Sequence, residues 1–250
     1  MKIHGGEGRN DGQPAVKVYL NHPSPCPYLP GREEQRLLIP LADEPQAAHE
    51  QIGFFTQLGF RRSQNVMYRP QCVGCTACIS YRVCARDFQP TATQARTFRR
   101  NAELLWEEIT LHQAATTLYP MFRAYQLARH TDSDMAKFTE NDFHSLLTPA
   151  AVSNVCFVLK EPETGQVIAA MLVDRTLDGL SAVYSFYWPD QPRRSLGTAL
   201  VLCLIRQANV ENLPYVYLGY WVQDCKKMAY KQNFQPAEIL GLDGWTRLSS

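Results

Sequence analysis

The sequence predicts a mixed α/β fold of the α+β kind, and three patterns carry that prediction. Residues 155–159, 167–174 and 180–188 are apolar and aromatic runs separated by turn signals at 161–165 and at Asp178-Gly179. That is the pattern of a three-stranded antiparallel meander. A long helix over 193–211 and a strand over 215–218 follow it. Near the start, strand-like runs at 36–41 and 65–68 flank a helical stretch at 46–58, enough for a small α/β unit.

The elements between these units read as helical. An arginine-rich helix start leads into a helical region over 99–129, which Pro120 should break or kink because its ring removes an N–H and clashes with the preceding turn. A short helix at 139–147 opens on Thr139 and Asp142, spaced as a capping pair. A last helix spans 224–232, with Asp224 placed to cap it. The resulting division is a polar, Gly-rich tail over 1–14, an N-terminal α/β unit over 15–98, a helical connection over 99–150 and a final unit over 151–250.

Composition narrows the function classes. The 45% hydrophobic and 20% charged fractions are those of a globular protein, and no stretch approaches the length of a membrane span. The opening lacks the apolar run of a signal peptide, so the eight cysteines read as cytoplasmic thiols, not as a secreted disulfide framework. Net charge is only +1, yet it is segregated. Residues 61–100 hold eight arginines against one aspartate, whereas 101–150 hold three basic against seven acidic side chains. The arginine block reads either as one polyanion-binding face or as solvated side chains on unrelated faces.

Two motifs carry chemistry. Arg194-Ser195-Leu196-Gly197-Thr198-Ala199 opens the long helix directly after a strand. It resembles the R/Q-x-x-G-x-G/A loop of GNAT acyltransferases, in which free helix-terminal amides bind anions and small residues let a phosphate approach the main chain. The second motif is Cys72, Cys75 and Cys78 at C-x2-C-x2-C spacing, with Cys26 or Cys84 available as a fourth ligand. These residues read either as ligands of a metal ion or cluster, or as thiols packed in a tight loop.

The runs CPYLPGREEQRLLIPL, FRRSQNVMYRPQCVGCTACISYRV, FRRN, DGLSAVYSFYWP, RRSLGTAL and YLGYWVQDCKKMAYKQNFQP occur in this order over about residues 15–245. In them the chain resembles the bacterial aspartate/glutamate leucyltransferases, relatives of the eukaryotic arginyl-tRNA protein transferases. The resemblance implies a GNAT-like catalytic C-terminal half that receives leucyl-tRNA, and a smaller N-terminal part carrying the Cys-rich loop. It further implies an acceptor protein beginning with Asp or Glu, a product that enters N-terminal-residue-dependent degradation, a cytoplasmic location, and neither membrane nor DNA as partner. The chain departs from the eukaryotic C-G-Y-C pattern at Leu29, within Cys26-Pro27-Tyr28-Leu29. No cofactor is therefore required by this reading, although a metal or iron–sulfur cluster on Cys26, Cys72, Cys75 and Cys78 stays open.

Attack of an N-terminal amine on an aminoacyl ester needs a neutral amine, an oriented ester and a stabilised oxyanion. Tyr184, Ser185 and Tyr187 on the third meander strand, and Tyr217 and Tyr220 on the strand after the long helix, are the catalytic candidates. Alternation on a strand lets only one of the Phe186 and Tyr187 faces meet the site. Arg99, Arg100, Arg194, Gly197, Lys226, Lys227 and Lys231 are candidates for tRNA contact, and Arg69 and Arg82 for the acidic N-terminus. Asn101 reads as a cap or a polar site residue, and Phe186 and Trp245 as core. An acetyl coenzyme A-dependent acetyltransferase and a noncatalytic metal-dependent RNA-binding module are the rival readings.

Overall fold

The computed structural model describes residues 16–131, 133–147, 154–223 and 225–248. The expected tail at 1–14 and the expected cap at Asp224 lie outside them. A small sheet comes first. Strands β1 (Tyr19–Leu20), β2 (Ser24–Pro25), β3 (Glu33–Glu34) and β4 (Arg36–Pro40) precede helix α1 (Pro45–Gln57). Strands β5 (Arg61–Ser63) and β6 (Val66–Pro70) follow it, and the sheet order is β1-β4-β6-β5. Helix α1 starts on Glu44, whose carboxylate accepts the Gln46 and Ala47 amides at 3.0 and 2.7 Å, with Pro45 at a position that has no N–H to satisfy. Its Ile52 and Phe55 pack with Ile39, Phe60 and Met67 into a minor core.

The main body is one sheet of eight strands. Strand β7 (Ile79–Cys84) leads to α2 (Ala92–Arg100), β8 (Leu105–Ile109), α3 (Leu111–Thr117), α4 (Tyr119–Arg129) and α5 (Glu140–Leu147). The meander is β9 (Asn154–Lys160), β10 (Val167–Arg175) and β11 (Gly179–Tyr187). Then come α6 (Leu196–Val210), β12 (Tyr215–Trp221), β13 (Ala237–Gly241) and β14 (Gly244–Arg247). The order is β14-β13-β7-β12-β11-β10-β9-β8, so β7 from the first half lies inside the sheet that the meander begins.

Alternation along β10 divides the core between the two faces. Ile168, Met171 and Val173 pack under α6 with Phe157, Leu200 and Leu204, while Ala170 and Leu172 meet Phe122, Phe143 and Phe186 under α4 and α5. The Thr139–Asp142 capping pair is present, with the Thr139 amide 2.8 Å from the Asp142 carboxylate and the Asp142 amide 3.3 Å from Thr139 Oγ1.

Two expectations need correction. The region 99–129 is not one helix broken at Pro120. Helix α2 begins at Ala92, β8 follows as an edge strand paired to β9, and Pro120 falls in the first turn of α4, where a missing N–H costs nothing. Trp106 stacks on Phe157 at 4.9 Å and 7°, and Glu107 pairs with Lys160, so tertiary pairing overrides the helix-like spacing of β8. The predicted helix at 224–232 is also absent. Among the described residues only a short 3-10 turn, Ala229–Asn233, forms there.

The two sheets are fastened by a buried ion pair. Arg62 on β5 donates through Nε and a terminal nitrogen to the two oxygens of Asp174 on β10, both at 2.8 Å, with side chains only 1% and 2% exposed.

Candidate active site

Strands β11 and β12 run parallel and pair only at Gly179–Tyr215, Leu180–Val216 and Ser181–Tyr217. Beyond that point β11 stays with β10 as far as Tyr187, and β12 stays with β7 as far as Trp221. The two strands therefore splay, which leaves inward-facing carbonyls without a ladder partner. Side chains complete them. Arg61 of β5 donates to the Ala182 and Val183 carbonyls at 2.9 and 3.2 Å. Lys231, only 4% exposed, donates to the Tyr220 carbonyl.

Gly219 makes room for this arrangement. Its φ is +73°, in the left-handed region, and a Cβ there would run into the Arg61 guanidinium. The cleft lined by Arg61, Ser181, Tyr217 and Gly219 keeps a volume of only about 10 Å³.

The electrostatics of the opening are unusual. Burial, then the nearby Arg61 charge, pushes the Lys231 ammonium down to about 7. Burial pushes the Tyr28 hydroxyl up to about 12, with Tyr68 adding to the rise and Arg61 and Arg36 opposing it. Tyr220 and Tyr230 are also raised, first by burial, and Arg61 opposes both. Arg61 is thus the charge shared by Tyr28, Tyr220, Tyr230 and Lys231.

The opposite wall is the start of α6. Ser195, at φ 52° and ψ 48°, turns the chain into the helix, and the first bond within the helix runs from the Ala199 amide to the Ser195 carbonyl at 3.0 Å. The amides of Leu196, Gly197 and Thr198 consequently have no helical acceptor. Gly197 lies against Tyr187, whose ring would be 3.4 Å from an added Cβ, and Tyr187 meets Tyr125 of α4 edge-on at 4.8 Å. The end of α2 holds the loop before the helix. Arg100 donates to the Arg193 carbonyl, Asn101 donates to the Thr97 and Arg194 carbonyls at 2.8 and 2.9 Å, and Arg194 pairs with Glu103 at 2.6 Å. Asn101 is both the C-cap residue of α2 and a bracket on the loop.

The sequence-predicted residues divide between the two ends of the sheet. Ser185 and Tyr187 alternate away from the Phe186 face; Tyr184 shares that face, packs on Phe122 at 6.1 Å and binds Gln126 through its hydroxyl. The Tyr220 hydroxyl lies 2.9 Å from the Gly59 and Tyr68 carbonyls, and joins the splay to the small sheet. Tyr217 points to the still-paired end, where its hydroxyl donates to Asp178 at 2.9 Å and accepts from Arg82 at 3.1 Å.

Arg82 is in place to hold this cluster, not an incoming carboxylate. It binds Glu238 at 2.7 Å and lies 3.5 and 4.2 Å from the centres of the Tyr215 and Trp245 rings. Arg69 sits over Phe60 at 5.0 Å and reaches Tyr220 only through space. Lys231 is too buried for a surface phosphate, whereas Arg99, Arg100, Lys226 and Lys227 are exposed. Phe186 is core, as expected, and Trp245 is half-buried, with its indole donating to the Gln57 carbonyl at 2.9 Å. Sequence reasoning missed Arg61 and Tyr125 as site residues; Arg61 was visible only as one member of the arginine block.

Cys26, Cys72, Cys75 and Cys78 lie near one another. Cys72 and Cys75 face each other across a turn that Gly74 makes at φ +66°. Burial raises the Cys78 thiol to about 12, with Cys72, Cys26 and Cys75 adding to the rise. The Ala77 amide, with help from Arg32, pulls Cys75 down. Among the described residues, however, no group of three or more Cys, His, Asp or Glu side chains is arranged to hold a metal ion. Leu29, at the departure from the eukaryotic pattern, packs with Tyr28 on the main core. Cys84 lies elsewhere, buried on β7 near Glu238 and Arg247. Cys72→Ser and Cys75→Ser should each cost about 1–3 kcal/mol, the scale of a poorly satisfied hydroxyl, without loss of activity. Denaturant melts and metal analysis of anaerobically purified protein check this; a full equivalent of metal, with activity lost on chelation and restored on reloading, would contradict it.

No helix among the described residues is long and apolar enough to cross a membrane. The meander, the crossover through α6 and the splayed pair β11–β12 constitute a GNAT-like fold. In keeping with it, the chain superposes with a TM-score of 0.50 on the crystal structure of the C-terminal domain of a candidate lysylphosphatidylglycerol synthetase from Agrobacterium fabrum. That match covers 68% of this chain and 58% of the other at 16% identity, and bears on fold alone. The family model "Arginine-tRNA-protein transferase, C terminus" matches residues 117–241, and "Arginine-tRNA-protein transferase, N terminus" matches residues 24–100. The chain is 45% identical to an aspartate/glutamate leucyltransferase of Parvibaculum lavamentivorans, over 92% of this chain and 93% of the relative. It is 43% identical to one of Caulobacter vibrioides, over 94% and 85%. With both halves matched in order and the likeness running nearly end to end, the chain belongs to the aspartate/glutamate leucyltransferase family.

Proposed function

We propose that this protein transfers leucine from leucyl-tRNA to the N-terminal amine of cytoplasmic proteins that begin with Asp or Glu, and so marks them for N-terminal-residue-dependent degradation. The observation that carries the reading is near-full-length similarity to enzymes of that name, on a sheet splayed beside a helix N-terminus. Leucyl-tRNA and the acceptor protein are the partners, with no membrane or DNA involved.

The chemistry asks little of the protein beyond placement. The ester is already activated, and an α-amine with a pKa near 8 is about one-tenth neutral at pH 7, so modest help from a hydrogen-bond acceptor in a partly dry site is enough. Orientation and oxyanion stabilisation supply most of the acceleration. The Leu196, Gly197 and Thr198 amides supply donors at one wall of the opening, and Ser185 and Tyr187 line the strand beside it. Tyr184, Tyr217 and Tyr220 act by holding the strands, since their hydroxyls already have protein partners. Exposed Arg99, Arg100, Lys226 and Lys227 contact tRNA phosphates, and Arg194 holds the loop before Gly197. This reading requires no metal or cluster.

Purified protein should move radiolabelled leucine from charged tRNA to peptides beginning with Asp or Glu, but not Ala, and should use arginyl-tRNA poorly. Equal use of both charged tRNAs would overturn the donor assignment.

A further inference from the structure

The splay holds two buried or half-buried cations, Arg61 and Lys231, and among the described residues neither has a carboxylate partner. The other inward-lying guanidiniums are neutralised. Arg62 pairs with Asp174, Arg82 with Glu238, and Arg175 with Glu108 and Glu211. By contrast, the hydrogen-bond partners of Arg61 are the Ala182 and Val183 carbonyls, and Lys231 has the Tyr220 carbonyl and, at 3.8 Å, the Met228 sulfur. The groups that share their field are phenols and thiols: Tyr28, Tyr220 and Tyr230 around Arg61, and Cys78 and Cys225 near Lys231. Burial raises the three tyrosines and Cys78, so none of these four supplies a negative charge near neutral pH.

Charge removed from water is costly unless an opposite charge meets it. Arg61 held without a counter-ion, beside a Lys231 amine that an anion would keep protonated, forms a site that an incoming anion completes. Arg61 has the donors for it: one terminal nitrogen is spent on the two carbonyls, while Nε and the other terminal nitrogen, which lie against Gly219, have no protein acceptor among the described residues. An incoming carboxylate can accept from them as charge-assisted hydrogen bonds.

We infer that Arg61 and Lys231 form the subsite that binds the side-chain carboxylate of the acceptor's first residue. The inference rests on the proposed leucyl transfer and assigns a step within it. The carboxylate of an N-terminal Asp or Glu is one or two methylenes from the carbon that bears the attacking amine, so its subsite has to adjoin the reacting centre. Arg61 meets that condition, because the Ala182 and Val183 carbonyls that it binds lie on β11, a few residues before Ser185 and Tyr187 on the same strand. A phosphate of the tRNA backbone is better served by the exposed cations at the end of α2 and at Lys226 and Lys227. This assignment replaces Arg82, which Glu238 already occupies.

The test compares kcat/KM for leucyl transfer to matched peptides beginning with Asp or Asn, using wild type, Arg61→Gln and Lys231→Met. Filter binding of leucyl-tRNA and thermal melts accompany each protein. Wild type should favour Asp over Asn by at least about thirtyfold, the lower end of what a buried charge pair contributes. That ratio should fall to within about threefold of unity in Arg61→Gln and should drop at least tenfold in Lys231→Met, with leucyl-tRNA affinity retained. Lys231→Met removes a buried charge at similar length, so it carries the test if Arg61→Gln fails to fold. A wild type that transfers leucine with no Asp preference, or folded variants that keep the wild-type ratio, would overturn the inference. Loss of leucyl-tRNA binding with an unchanged ratio would also overturn it and assign the cations to phosphate. Absence of transfer to every peptide by wild type is a different failure, that of the proposed function itself.

Discussion

Asp174→Ala should lower the unfolding free energy by about 3–5 kcal/mol, the cost of leaving a buried charge without its partner. The Arg62–Asp174 pair is the most deeply buried ion pair among the described residues, and it joins β5 of the small sheet to β10 of the large one. Arg62 also donates to the Gln64 carbonyl at 3.0 Å, so it cannot swing into solvent without disturbing the β5–β6 turn. The same strand positions Arg61, the residue just before Arg62 on β5. Activity should therefore fall along with stability. Urea denaturation followed by tryptophan fluorescence measures the loss, and a change below about 1 kcal/mol would show that the pair does not fasten the sheets. Replacing both partners, as Arg62→Met with Asp174→Leu, should recover much of the stability, because an apolar pair of similar volume avoids the desolvation cost.

Gly219→Ala should reduce transfer to Asp-initiated peptides at least about tenfold and cost about 1–3 kcal/mol in stability. Two effects combine. The φ of +73° is strained for any residue with a Cβ, and the added methyl drives the Arg61 guanidinium off the Ala182 and Val183 carbonyls. Gly219→Asn separates them, since asparagine tolerates the left-handed region while still colliding with Arg61. Its melting temperature should lie above that of Gly219→Ala, with activity equally low. Full activity in Gly219→Asn would mean that the position of Arg61 does not matter.

The main body was legible where the pattern was local. The meander strands carry their own alternation and turn signals, α6 is long and apolar, and Thr139 with Asp142 forms a cap within one turn. Elements whose state depends on a distant partner were not. Strand β8 has helix-like spacing and becomes a strand because β9 offers an edge. Strand β7 passed unread after the cysteine loop and lies between β12 and β13.

The same division holds at the site. The loop from Arg194 to Ala199 could be recognised because a helix N-terminus announces itself in sequence. The assignments of Arg82, Tyr184 and Tyr217 could not be settled there, because Glu238, Gln126 and Asp178 occupy them from elsewhere in the chain. Arg61 was one of eight arginines in a block, and only the splay distinguishes it from the others.

The central claim is tested most directly by sequencing the product. Wild-type protein, leucyl-tRNA and a peptide beginning with Asp, whose lysine side chains leave alternative amines available, should be incubated and the product analysed by tandem mass spectrometry. A single leucine joined through a peptide bond ahead of the Asp, formed without added metal, is the predicted result. Leucine on a lysine amine, or no leucine transfer together with acetylation when acetyl coenzyme A is supplied, would contradict the account.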